Sequence, residues 1–193
     1  LKEKGAEVII TGRNKSKLEN TANKFGFTGF VSDVSKENEV LELFENIKSK
    51  FGTLDVLINN AGFGYFESLE NVSVKKFNEV LQTNVIGAAL AAREASKIFK
   101  EKNGGDIINI ASTAATKGFA GGTSYVASKF ALRGMTECWR AELRPFNIRV
   151  ILINPSEVQT DFVVNSGRAE RNFNPTKLIG EDIAHSIVSV LEM

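Results

Sequence analysis

The sequence predicts an α/β fold, a doubly wound parallel sheet with helices on both faces. Three observations predict it. The runs EVIIT, VLIN, IINIA and VILIN are nearly continuous apolar stretches, as strands buried on both faces require. Segments of helical period separate them, so strand and helix alternate, and such alternation implies right-handed crossovers between parallel strands. Thr11, Asp33, Asn59, Ser112 and Pro155 all lie at or just past a strand end. That is where open α/β sheets bind their ligands.

In chain order, Leu1–Gly5 reads as the last turn of a helix closed by glycine. Glu7–Thr11 is a strand and Gly12–Lys15 a turn. The next helix places Leu18, Ala22 and Phe25 on one stripe. Thr28–Val31 is a short strand. Ser35 is a good N-cap for a helix with Val40, Leu43, Phe44 and Ile47 inward, ending at Gly52. Leu54–Asn59 is a strand, and Ser73 caps one long helix from about Val74 to Lys100. Asp106–Ala111 is a strand, Thr123–Leu143 a helix and Arg149–Asn154 a strand. A polar loop, Pro155–Gly180, precedes a final helix over Glu181–Leu191, with Ile183, Ile187, Val190 and Leu191 apolar.

A chain of 193 residues with 42% hydrophobic and 24% charged content suits one domain with a sizeable core. A net charge of +1 gives no reason to expect nucleic acid or an anionic membrane as partner, and no apolar run is long enough to span a bilayer. One cysteine, Cys138, and one histidine, His185, leave no internal disulfide and no Cys/His metal site. They fit a reducing, cytoplasmic setting, with Cys138 read as a packed thiol and His185 as a surface imidazole.

The stretch Asp106–Leu132 carries the chemistry. Ser112 sits where a strand stops, and Tyr125 and Lys129, four apart, share one helix face. A free phenol ionises near pH 10. A neighbouring ammonium would lower that value, and a serine hydroxyl could hold a substrate oxygen beside the phenol. Proton transfer to a carbonyl or alkoxide is the chemistry these groups suit. An electron source is still required, because none of the three carries a hydride. A Tyr-x-x-x-Lys pair by itself is more often an exposed surface pair.

The segment resembles the active-site region of the short-chain dehydrogenase/reductase family. That family has a serine thirteen residues before the tyrosine of Tyr-x-x-x-Lys, as do Ser112, Tyr125 and Lys129. Its Asn-Asn-Ala-Gly is matched by Asn59, Asn60, Ala61 and Gly62, and its helical asparagine by Asn84. The resemblance covers essentially the whole chain. It implies a Rossmann-type domain and four catalytic residues, Asn84, Ser112, Tyr125 and Lys129, with Asn84 holding a water in a proton relay to Lys129. It places Asp33 and Val34 at the adenine, and Asn60, Ala61 and Gly62 along the adenosine. Tyr125 and Lys129 reach the nicotinamide ribose. In the loop after Asn154, Thr160 is in register for the carboxamide, but Pro155 is followed by Ser156 where the family has glycine.

The family resemblance requires a nicotinamide cofactor, and the residues after EVIIT bear on which one. Gly12-Arg13-Asn14-Lys15 holds no acid to take ribose hydroxyls, and Arg13 offers a planar fork suited to a 2′-phosphate. The expectation is NADP(H), against a reading of Arg13 as a solvated turn residue.

Two family features are not found in the sequence: the first strand with its glycine-rich pyrophosphate loop, and the last strand. The first strand would lie between EVIIT and LDVLIN, so a gap of roughly 10 Å is expected there, from a strand spacing near 4.8 Å. The expectation is a single domain over 1–193, truncated at both ends. The leading function is hydride transfer between NADP(H) and a small carbonyl/alcohol substrate; the resemblance implies ketone or 3-oxoacyl thioester reduction by a homodimer or homotetramer. A non-catalytic NADP(H)-binding regulator or an inactive fragment is the alternative. Ala88, Ala89, Ala91, Ala92 and Ala95 would allow helices to approach closely between subunits, or within the core. Phe162, Val163 and Phe173 could make an apolar wall of the substrate site, or equally be ordinary packing. Arg168 and Arg171 could meet an acidic carrier or a carboxylate, against the reading of a solvated loop.

Overall fold

A computed structural model describes residues 1–170 and 172–193, so Arg171 lies outside the described residues. The elements run β1 (Ile9–Gly12), α1 (Lys15–Phe25), β2 (Thr28–Val31), α2 (Glu37–Phe51), β3 (Val56–Asn59), α3 (Val74–Leu81), a π-helical segment (Gln82–Gly87) and α4 (Ala88–Glu101). Then follow β4 (Gly105–Ile110), α5 (Thr123–Leu143), β5 (Ile148–Ile153), β6 (Val158–Gln159), a one-turn α6 (Phe162–Asn165), β7 (Leu178–Ile179) and α7 (Gly180–Leu191).

The strands are parallel, as their continuous apolar runs required. β1 pairs with β2, and β3, β4 and β5 form a second ladder in that order. No ladder joins β1 to β3 among the described residues, in keeping with the gap expected between them. α2 and α4 meet on one face over a shared core of Val40, Leu43, Phe44, Ala91, Ala95 and Phe99, closed by Ile107 and Val150 of the sheet. Phe99, Ile107 and Ile108 are fully buried, each contributing about 1.5–3 kcal/mol of apolar burial. Gly29 faces Leu18 and Ala22 of α1, while its neighbour Phe30 packs on the α2/α4 core. Adjacent strand residues point to opposite faces, so α1 covers the other side of the sheet. Ala88, Ala91, Ala92 and Ala95 are buried here, which assigns most of the small-residue run to core packing.

Several elements depart from the sequence expectation. The long helix over 74–101 is continuous but broken in register by the π segment, whose insertion turns Asn84 into the interior. Ser73 caps it as expected, accepting from Lys76 N. Ser35 does not cap α2. The Asp33 carboxylate captures the Ser35 N–H and O–H at 3.0 and 2.7 Å, and Lys36 becomes the N-cap without a side-chain bond. The segment 155–180 is more than a loop, since β6 and β7 pair within it. Cys138 is exposed on α5 rather than packed. No described helix is long and apolar enough to cross a membrane.

Candidate active site

Three of the four residues nominated for catalysis line one cavity of about 730 Å³ beyond the carboxyl ends of β3, β4 and β5. Ser112, Tyr125 and Lys129 share its wall with Asn60, Gly62, Pro155 and Thr160. Each arrives by a different route. Ser112 follows the end of β4, where its Oγ accepts from Ala114 N at 3.1 Å and fixes a turn. Tyr125 and Lys129 stand on the first and second turns of α5, both buried.

Lys129 Nζ donates to Ile110 O at 2.9 Å and lies 5.7 Å from the centre of the Tyr125 ring. The side chain is 6% exposed, and burial pulls its pKa down to about 8. Burial also governs Tyr125, raising its phenol above the ordinary value, while the Ser112 hydroxyl and the Arg168 charge pull it back in part. The expected lowering of the phenol by Lys129 is therefore corrected for the free site. Lys129 gives one of its three N–H groups to the Ile110 carbonyl, and at the phenol desolvation outweighs the Ser112 hydroxyl and the Arg168 charge.

Asn84 stands directly behind the cavity rather than on its wall. Its Nδ2 donates to Phe63 O at 2.8 Å and Ser128 Oγ at 3.0 Å, and its Oδ1 accepts from Phe63 N at 3.0 Å. A buried amide needs such partners. The bonds pin the loop after β3 to α5. A Cβ placed on Gly62 would come within 3.2 Å of Asn84 Oδ1 and 3.7 Å of Lys129 Nζ, so only a bare backbone leaves this corner open. Further back, Asn59 Nδ2 donates to Asn109 Oδ1 at 2.9 Å, and Asn109 Nδ2 to Thr136 Oγ1 at 2.8 Å, tying β3, β4 and α5 together.

The residues nominated for the adenosine end gather elsewhere. Arg13, after β1, approaches Asp33, after β2, at 3.9 Å, with its side chain 67% exposed. Burial would raise the Asp33 carboxyl, but the Ser35 donors, with Arg13 and Lys36, hold it below its ordinary value. Val34 packs so closely on Gly87 that a Cβ there would lie 2.9 Å from the Val34 carbonyl oxygen. Ala61 is exposed beside Gly62. Arg13, Asp33, Val34 and Ala61 are not part of the cavity wall.

Sequence reasoning passed over Ser128, which is fully buried, accepts from Asn84 and donates to Tyr125 O at 2.7 Å. Its spacing of three from Tyr125 was a readable signal. It also passed over Phe66 and Phe119, which line the cavity with Phe162 and Val163, whereas Phe173 is 72% exposed and lies off the cavity.

The model for the family described as short chain dehydrogenase matches residues 1–171. Carbonyl reductase family member 4 of Danio rerio is 33% identical over 100% of this chain and 83% of that protein. Among solved structures, the closed form of serine dehydrogenase complexed with NADP+ is similar at a TM-score of 0.92 and 29% identity, covering 99% of this chain and 81% of that one. The 3-ketoacyl-(acyl-carrier-protein) reductase of Brucella melitensis, complexed with NADH, is similar at 0.88 and 29%, covering 97% and 81%. With the parallel strands, the flanking helices and the cavity above their carboxyl ends, this extent of match is decisive: the chain belongs to the short-chain dehydrogenase/reductase family.

Proposed function

We propose that this protein is an NADP(H)-dependent reductase of ketones or 3-oxoacyl thioesters. The observation that carries this reading is the meeting of Ser112, Tyr125 and Lys129 on one cavity wall with Asn84 bonded behind them. A dinucleotide sensor would have no use for a buried proton relay. That serine dehydrogenase was solved with NADP+ and the Brucella reductase with NADH leaves the choice of cofactor to this chain's own residues.

The residues present fit a nicotinamide dinucleotide at both ends. The open corner at Gly62, next to Tyr125 and Lys129, suits the nicotinamide half, and exposed Arg13 beside Asp33 suits a phosphorylated adenosine ribose. When bound, that cofactor supplies or accepts the hydride. The protein does the rest. Ser112 Oγ holds the carbonyl oxygen by a hydrogen bond. Tyr125 Oη gives that oxygen a proton in reduction and takes it back in oxidation. A phenol raised by burial holds its proton at neutral pH and so enters reduction as the acid. Lys129 returns a proton to the phenolate, and Asn84 keeps the helix and the loop at Phe63 in place around it.

The reading extends to a cytoplasmic homodimer or homotetramer acting on small carbonyl compounds. The test is spectrophotometric: NADPH oxidation matched one for one by alcohol formation from a panel of ketones and an acetoacetyl thioester. Absence of turnover across the panel would overturn it.

A further inference from the structure

The cavity holds a second cation besides Lys129. Arg168 lies on its wall, with the guanidinium carbon 4.0 Å from the centre of the Phe66 ring. Phe66 in turn lies tilted against Tyr125, at 5.6 Å between centres, and stacks near Phe119 at 6.1 Å. The guanidinium therefore stands one ring away from the phenol. The Phe66 face fixes it there, since a cation over an aromatic face is held by the ring quadrupole.

Its hydrogen bonding is incomplete. Arg168 Nε is buried and has no hydrogen-bond partner among the described residues. The acidic residue on the cavity wall, Glu157, is engaged by Lys177 at 3.0 Å. Lys129 Nζ already donates to Ile110 O at 2.9 Å. A buried N–H without an acceptor carries its full desolvation cost, and a planar guanidinium fork matches the two oxygens of a carboxylate. We propose that Arg168 is a specificity-determining residue that receives the carboxylate of an oxo-acid substrate while the carbonyl meets Ser112 and Tyr125. This rests on the proposed reduction for where the carbonyl sits. The rings of Phe66, Phe119 and Phe162 make the apolar wall along which the carbon chain of that acid runs.

The test separates binding from turnover. The Tyr125→Phe variant is titrated calorimetrically, with and without NADPH, with pyruvate, levulinate and benzoylpropionate, each against its methyl ester. At least one acid should bind ten times more tightly than its ester or better, the scale of a charge-assisted pair. Arg168→Gln in the same background should remove that preference, and Arg168→Lys should restore part of it, which shows that charge rather than folding is read. Equal binding of acid and ester, no binding of any acid, or a preference that survives Arg168→Gln would overturn the proposal. Turnover of neutral ketones by the enzyme with Tyr125 intact reports separately on the reduction, so an acid preference without any turnover would leave the carboxylate site standing and refute the chemistry.

Discussion

Asn84 Nδ2 and Ser128 Oγ, 44 residues apart in the chain, share a buried hydrogen bond of 3.0 Å. It joins the π-helical segment to the helix that carries Tyr125 and Lys129. Ser128 passes the link on by donating to Tyr125 O, and Asn84 completes it through both backbone groups of Phe63. One amide thus sets the spacing of the loop after β3, the π segment and α5.

Replacing Asn84 with Ala removes three hydrogen bonds and leaves the Phe63 backbone groups and the Ser128 hydroxyl short of partners. The expected cost is about 2–4 kcal/mol in urea unfolding. The cost should be nearly matched by Ser128→Ala combined with Asn84→Ala, because the two residues act on one another. A double mutant whose loss equals the sum of the single losses would show that they are uncoupled.

Lys129 makes stability depend on pH in a distinctive direction. Its pKa falls from 10.5 in the unfolded chain to about 8 when folded, a cost of about 3 kcal/mol for keeping the charge buried. Between those two values the unfolded chain binds the extra proton. The penalty is complete below pH 8 and fades as pH rises toward 10.5. Lys129→Met escapes it but loses the bond to Ile110 O, worth about 1 kcal/mol. The variant should therefore be more stable than the parent by about 2 kcal/mol at neutral pH. The advantage should disappear by pH 10.5, as urea midpoints across that range would report.

Arg13 is exposed and only loosely paired with Asp33, so its fork is available to a phosphate. Arg13→Ala should raise the KM for NADPH about 10- to 100-fold, the scale of charge-assisted bonds to phosphate. The KM for NADH should stay within about twofold, because no phosphate contact is lost. Equal use of the two cofactors by the parent enzyme would remove Arg13 from the account.

How much of this was legible follows from the range of the forces involved. Thr123–Leu143 is a helix with the bounds expected of it, and Leu18 and Ala22 are buried on the stripe that spacing assigned to them, whereas Phe25, at the helix end, is 51% exposed. Local signals sufficed there. The π segment at Gln82–Gly87 was not legible, because no residue in it favours the extra backbone position. The partners of Asn84 at Phe63 and Ser128 favour it, and they are distant in sequence. Ser35 looked like a cap, but the carboxylate two residues earlier took its donors. Charge alone left Arg168 between an acidic partner and a solvated loop. Only the folded path of the segment after β5 brings it to Phe66 and the cavity.

The central claim is that the Tyr125 phenol exchanges the proton with the substrate oxygen, while Lys129 reprotonates the phenolate and Ser112 and Asn84 hold and position. Turnover of the Tyr125→Phe variant, measured beside its NADPH affinity, tests this most directly. The account predicts a loss of about 10²–10⁴-fold in kcat, the usual worth of a positioned acid–base group, with NADPH binding unchanged. A variant that keeps kcat within a factor of about three, far short of that loss, would contradict it.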